Sequence, residues 1–256
     1  MGSRDKVFVS ISFSHVKKVL IGIGLLGLIL GIAAYEIPTT KVSKYWSLPL
    51  AGVTIALDAG HGGPDGGAVS KQGIIEKDIN LAVALYLRDY LQQAGAIVVM
   101  TREDDRDLAD TNTKGYKKRK SEDLKQRVRF IEEKEAKLFL SIHMNSVPSS
   151  RWSGAQTFYN YQNKDSVNLA QLVQQELKYN LENTDRVAKQ SDKTVYLLDA
   201  LKIPAVLVEV GFLSNPEEAK WLKDDAYQRK VAGAIYKGIL RYSAGEKSEG
   251  GADDDR

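Results

Sequence analysis

Cysteine is absent from all 256 residues, which excludes disulfides, thiolate metal centres and a cysteine nucleophile. Histidine is almost absent as well: only His15, His61 and His143 occur, so any imidazole chemistry has to use those three positions. A strong charge of either sign is also missing. Thirty-six basic against 33 acidic residues leave a net charge of +3. That mild excess fits a polyanionic or cell-surface environment and does not call for nucleic acid. No basic stripe interleaved with aromatics appears, apart from "KGYKKRK" at residues 114–120, and there is no internal repeat.

One stretch carries a histidine among five glycines: "LDAGHGGPDGGA", residues 57–68. It follows the apolar run "VTIAL", as a phosphate loop often follows a strand. It lacks the lysine and hydroxyl of a P-loop and the spacing of a dinucleotide fingerprint. Its glycines instead let the backbone bend sharply and clear space around His61.

Residues 19–34 form an uncharged apolar run of sixteen, "VLIGIGLLGLILGIAA". Its length lies between a signal-peptide core and a full membrane span. Lys17 and Lys18 precede it directly, with Arg4 and Lys6 further upstream. The positive-inside rule then places residues 1–18 in the cytoplasm and everything after Tyr35 outside. Small residues suited to a cleavage site are weakly placed. An uncleaved anchor over 19–35 is expected, with a cleaved signal as the alternative. Residues 36–50, containing Pro38 and Pro49, read as a linker. One folded domain is expected over 51–243, and the polar, glycine-rich 244–256 as a disordered tail.

Within the domain, strands alternate with helices. "GVTIAL" reads as a buried strand. A helix follows, with Asp78 as its N-cap and Gly95 at its end. "AIVVMT" is a strand, residues 102–123 a long charged loop and 124–136 an amphipathic helix. "KLFLSIHMN", "GAQTFYN" and "PAVLVEVGFL" are strands, and residues 167–181 and 226–242 are helices. Alternation of this kind implies an α/β class with a parallel sheet.

Ligands bind at the carboxyl ends of strands in such sheets. His61, His143 and Glu209 each follow or end a strand, and Glu76 ends a loop that starts at the same edge. Two imidazoles and one carboxylate are the ligand set of a catalytic zinc with an open fourth position. A second carboxylate beside it would move the proton. Taken singly, each of the four reads more readily as an ordinary structural or solvated residue. It is their joint placement that points to a metal site.

The motifs "LDAGHGGPDGGA", "EKDINLAVA", Thr101–Arg102, "LFLSIHMNS" and "VLVEVGFLSNPEE" resemble, in order and spacing, the zinc-dependent N-acetylmuramoyl-L-alanine amidases of the amidase-3 type. The resemblance covers residues 53–242. It implies that His61, Glu76 and His143 bind one zinc ion and that Glu209 is the catalytic carboxylate. It also implies a twisted, mostly parallel but mixed sheet flanked by helices on both faces, where the residues alone suggest a wholly parallel one. "WSLPLAG", "TKGYKKRKSEDLKQRV" and "SSRWSGAQTFY" are similar to the germination-specific subgroup of endospore formers. That likeness implies peptidoglycan of the spore cortex as substrate, action outside the membrane in the forespore envelope, and a muramic-acid deacetylase acting next to form muramic-δ-lactam. It also implies an activating lipoprotein partner.

Other residues carry two readings each. Asn145, two positions after His143, shares its face on a regular strand and would contact substrate or support a ligand; it also reads as a turn residue before Pro148. Arg102 pairs either with a peptide carboxylate or inside the protein. Asp65 supports a ligand or, better, makes the turn in "GPDGG". Trp152 stacks on sugar or packs beneath its loop. The basic stretch 114–120 grips anionic glycan or is a solvated loop leading to a helix start at Ser121. Two rival functions stand beside the amidase: a peptidase cutting within the stem peptide, and a non-catalytic wall-binding module.

Overall fold

The structure is a computed structural model that describes residues 13–35, 48–191 and 195–248. The expected N-terminal segment through residue 12 and residues 36–47 of the linker lie outside the described residues, as does the tail from 249 on. The chain divides into two units, Met1–Ser47 and Leu48–Arg256.

In the first unit, helix α1 (Phe13–Ala34) has 22 residues. It begins six residues before the expected span, because the stretch from Phe13 through Lys17 and Lys18 holds no glycine or proline to stop the helix. At about 1.5 Å per residue it reaches roughly 33 Å, comparable to a hydrocarbon core of about 30 Å. It is long and apolar enough to cross a membrane, and its leucines and isoleucines are exposed.

The second unit follows the order β1 (Thr54–Ala59), α2 (Glu76–Gln93), β2 (Ile97–Met100), α3 (Tyr116–Glu133), β3 (Leu138–Asn145), β4 (Gln156–Tyr159), α4 (Lys164–Leu181), β5 (Lys189–Gln190), α5 (Tyr196–Ala200), β6 (Ala205–Phe212), α6 (Pro216–Lys223) and α7 (Asp225–Ser243). The six strands form one sheet in the order β2-β1-β3-β6-β4-β5. Strands β2, β1, β3 and β6 run parallel. Strand β4 is antiparallel to β6, so the wholly parallel sheet read from alternation is corrected. The physical reason is the β3–β4 connection. It is short and holds no helix, whereas a parallel return needs a crossover, usually helical.

Strand alternation sorts the side chains. Ile55, Leu57, Leu140, Ile142, Val206 and Val208 face one core, where α2, α4 and α7 supply Val83, Leu87, Leu169, Val173, Val231 and Ile235. Ala56, Phe139 and Leu207 face a smaller core with Ile131 of α3 and Leu197 and Leu198 of α5. Asp58, Ser141, His143 and Glu209 share the parity of this second face, toward its carboxyl edge.

Three boundaries differ from the sequence reading. Helix α2 starts at Glu76, with Ile75 in the cap position, and Asp78 lies inside the first turn. A bridge from Val69 to Ile75 and hydrogen bonds to Ser70 Oγ keep the backbone extended up to that point. Helix α3 starts at Tyr116, five residues before Ser121. Its first two turns lack apolar periodicity but are pinned by tertiary contacts described below. The tail departs later than residue 244: Glu246 pairs with Arg241, and the Ser248 amide donates to Asn168 on α4.

Candidate metal centre and active site

His61 follows β1 directly and holds φ +64°, a left-handed conformation uncommon outside glycine. Its Nε2 lies 3.2 Å from Glu76 Oε1. His143, on β3, sets its Nδ1 3.0 Å from the same oxygen. The two rings meet edge-on, with centroids 5.0 Å apart. Glu76 is buried in the first turn of α2. Its Oε2 accepts the Ala68 amide at 2.8 Å, and Oε1 accepts the Met144 amide at 3.1 Å and Asn80 Nδ2 at 3.3 Å. One donor atom from each of His61, Glu76 and His143 falls within 4.8 Å of the others.

Two glycines make that approach possible. A Cβ at Gly60 would stand 2.2 Å from the His143 ring. One at Gly67, which has φ +69°, would stand 2.5 Å from Glu76 Oε2 and 2.7 Å from the His61 ring. The glycines of this loop therefore clear room for its ligand side chains.

The set fits a zinc ion by its chemistry. A tetrahedral ion with bonds of about 2.0–2.1 Å separates its ligand atoms by about 3.3 Å. The observed separations to the shared carboxylate oxygen are 3.2 and 3.0 Å. The far nitrogen of His61 is also supported, since Asp65 Oδ2 stands 2.9 Å from Nδ1 as an ion pair rather than an aligned hydrogen bond. A carboxylate behind a ligand histidine orients the ring and raises its basicity.

Electrostatics agree. Burial opposes charge on Glu76, yet the two histidines hold its carboxyl well below the usual range. Burial likewise opposes a charged His61, but Asp65 and Glu76 raise it to about 9, so an incoming cation would displace a proton. Glu209, on β6, is paired in register with His143. Burial pushes its carboxyl up to about 7, aided by the Glu76 charge and opposed by both histidines. Its Oε2 is buried and has no hydrogen-bond partner among the described residues. A cleft of about 250 Å³ is lined by His61, His143, Glu209, Lys120 and Tyr196. A second, open cleft of about 490 Å³ shares Glu209 and Leu207 with the first and extends to Phe158 and Lys189. A chain-like substrate thus has room on both sides of Glu209.

The remaining predicted residues do not join this cluster. Arg102 is fully buried, and its guanidinium donates to the carbonyls of Ala59, Gly60, Lys77 and Asp104. Among the described residues it pairs with no carboxylate, and its burial keeps it from a peptide, so both readings of it are corrected. Asn145 keeps the parity of His143, with the buried Met144 between them turned to the opposite core, and the register shift beside them places its extra residue on β6. Trp152 is exposed, with the Arg186 guanidinium 5.4 Å over its ring. Asp65 both makes the turn and supports His61: its Oδ1 accepts the Gly67 amide. It also draws in the basic stretch, since Tyr116 Oη donates to Oδ1 and Lys120 pairs with Oδ2 at 3.0 Å. Arg119 pairs with Asp107. Much of the 114–120 stretch is therefore an ordered helix start tied to the site.

Sequence reasoning missed a buried network beneath the site. Asp58 accepts from Arg127 Nη1 at 2.5 Å, Thr101 Oγ1 at 2.7 Å and Ser141 Oγ at 2.5 Å. Burial raises an acid, but Arg127, His143 and the two hydroxyls overcome it and bring Asp58 down to about 2. The signal was present as a lone aspartate in an apolar strand, with Asp123 and Arg127 at i,i+4 on one helix.

Comparison with known proteins agrees with this architecture. The germination-specific N-acetylmuramoyl-L-alanine amidase of Bacillus subtilis (strain 168) is 53% identical over 220 residues, covering 85% of this chain and 92% of the relative. The structure of the CwlD amidase from Clostridioides difficile in complex with the GerS lipoprotein superposes with a TM-score of 0.73 at 45% identity, covering 76% of this chain and all of that one. The catalytic domain of CwlV, an N-acetylmuramoyl-L-alanine amidase from Bacillus (Paenibacillus) polymyxa var. colistinus, gives 0.64 at 35% identity, covering 74% and 97%. Residues 55–241 match the Amidase_3 family, described as N-acetylmuramoyl-L-alanine amidase. With its fold and its cluster of two histidines and a glutamate in place, the chain belongs to that family of wall-cleaving amide hydrolases.

Proposed function

We propose that this protein removes stem peptides from spore-cortex peptidoglycan by zinc-dependent hydrolysis of the amide between the lactyl group of muramic acid and L-alanine. The observation that carries the reading is the convergence of His61 and His143 on one oxygen of Glu76, with a buried, unpartnered carboxylate oxygen of Glu209 on the adjacent strand. His61, Glu76 and His143 would hold the ion. Bound there, zinc supplies a Lewis acid for the scissile carbonyl and lowers the pKa of an attacking water.

The protein's own groups do the rest. Glu209 takes the proton of the water as general base and returns it to the departing L-alanine amine. Its raised pKa keeps the acid and base forms close in energy near neutrality, and a nearby cation would draw it back toward the ionised form. The two clefts that meet at Glu209 leave the glycan and the peptide each a path away from the reacting bond.

The substrate lies in the wall, so the site acts outside the cytoplasm. We extend this to a role before germination, with α1 as membrane anchor, a deacetylase acting on the exposed muramic acid to allow muramic-δ-lactam, and a lipoprotein partner. The germination-specific name of the Bacillus subtilis relative and the GerS complex of the Clostridioides difficile relative support that extension.

Mass spectrometry of defined muropeptides tests the reaction. The expected products are intact disaccharide and a free peptide beginning with L-alanine, lost on chelation and restored by zinc. Shortened stems still attached to muramic acid would identify a peptidase instead. Spores lacking the gene should contain no muramic-δ-lactam, and a normal content would remove the cortex role.

A further inference from the structure

We propose that Arg127 and Arg102 are positioning residues: two buried guanidiniums that, with Asp58 between the strands, lock the three ligand-bearing segments together before any ion arrives. The inference rests on the zinc reading of His61, Glu76 and His143. Both arginines are about 1% exposed. They grip three successive carbonyls where β1 runs into the histidine loop. Arg127 donates from Nη2 to His61 O at 2.7 Å and from Nη1 to Ala59 O at 3.2 Å. Arg102 donates from Nε to Ala59 O at 2.8 Å and from Nη2 to Gly60 O at 3.1 Å.

The same two side chains reach the other ligand segments. Arg102 Nη2 also donates to Lys77 O at 2.8 Å, the residue after Glu76. Arg127 binds Asp58 at 2.5 Å, and Asp58 accepts from Ser141, two residues before His143 on the same strand face. Asp123 holds Arg127 Nε at 2.9 Å, which fixes the plane of the fork. Only arginine offers this planar spread of donors; a lysine supplies one point charge. His61 holds a left-handed φ of +64°, and Arg127 donates to the carbonyl of that same residue.

Charge and geometry make opposite predictions for Arg102, and this separates them. Among the described residues no carboxylate contacts its guanidinium; its partners there are four carbonyls. Removing a cation near a metal site should by itself tighten metal binding. Removing a positioning group should weaken it, typically by about 10–100-fold for groups behind a ligand.

The test uses the full chain as Arg102→Met and Arg127→Lys. Zinc dissociation constants are measured by chelator competition, and melting and amide exchange are measured on the metal-free forms. Both variants should bind zinc about 10–100-fold more weakly. Exchange at Gly60, Gly62 and Gly63 should quicken while α4 amides stay unchanged. A variant that melts earlier without metal yet binds zinc as tightly as wild type would make the arginines merely structural and overturn the proposal, as would tighter binding by Arg102→Met. If a variant does not fold, wild type decides: metal-free protein must protect the Gly60 and Gly62 amides, and exchange there at free-peptide rates refutes the clamp. If wild type binds no zinc, the metal reading fails, and the exchange comparison still decides whether the arginines fix the loop.

Discussion

The two faces of the sheet are built from the same strands and yet do opposite things. On the face toward α2, α4 and α7, the parallel strands β1, β3 and β6 stay apolar toward the carboxyl edge: Ala59, Ile142, Met144 and Val210 continue the core to the end. On the face toward α3, the apolar run stops after Ala56, Phe139 and Leu207, and Asp58, Ser141, His143 and Glu209 replace it. A change of one residue in parity separates a packing surface from a reaction surface. The polar face lies under only the small core of α3 and α5, and α3 brings the compensating charges Asp123 and Arg127. Function is thus concentrated where burial is expensive for charge, and stability where it is not.

The largest effects should come from the polar face, with no change in fold. His61→Ala and His143→Ala each remove one of three ligands, so elemental analysis should find zinc near background and muropeptide release should vanish. Glu209→Gln should keep a full zinc complement and lose about 10²–10⁴ in turnover. Normal turnover in that variant, or zinc retained in either histidine variant, would break the division of roles between the ligands and Glu209.

Next comes the apolar face. Leu140 is fully buried in β3, one residue from Ser141 and on the opposite side. Leu140→Ala should cost about 2–5 kcal/mol through lost burial and a cavity. Urea melts should show that loss while the folded protein keeps its zinc stoichiometry. A loss of zinc affinity in the folded variant would mean the two faces are coupled more tightly than their parity implies.

Much of this division was legible in the sequence, and its limits are physical. His61, His143 and Glu209 each stand at the end of an apolar run, so their convergence follows from parallel strands sharing one edge. The Asp58–Arg127 pair spans 69 residues, and no periodicity links a strand to a helix across that distance. The start of α3 was missed because Lys117 to Lys120 show only charge. Tyr116, Arg119 and Lys120 are held by Asp65 and Asp107, which local propensity does not see. The register shift after His143 places its extra residue in β6, where β3's own sequence gives no sign of it.

A smaller effect sharpens the comparison through pH. The Glu209 carboxyl rises from an ordinary 4.5 to about 7 in the folded protein. Between those values the unfolded chain releases a proton that the folded one keeps, so metal-free stability falls as pH rises through that window and stays lower above it. Glu209→Gln has no proton to lose. Without metal it should match wild type at pH 4 and exceed it at pH 8 by on the order of 1–3 kcal/mol in urea melts. A residue that the reaction requires would then be one that the fold alone would rather lack. Equal stability at pH 8 would show that Glu209 is better solvated than its unpartnered oxygen indicates.

The smallest effect concerns Trp152, which belongs to neither face. The residue is 56% exposed, and the Arg186 guanidinium lies over both its ring and that of Phe212, 5.4 Å from one centroid and 4.8 Å from the other. An exposed cation–π contact is worth about 0.5–1 kcal/mol, so Trp152→Ala should lower stability by no more than that. Arg186 also donates to Ser153 O and Gln156 Oε1, and Gln156 is the register partner of Glu209. The tryptophan therefore covers a strut that reaches the strand beside the base. If Trp152 only packs on Arg186, KM for muropeptides stays at the wild-type value and kcat drops slightly. If its open side stacks on sugar, KM rises severalfold for substrates with several glycan units and not for a single disaccharide-peptide. Measuring both substrates separates a packing residue from a glycan contact in one variant.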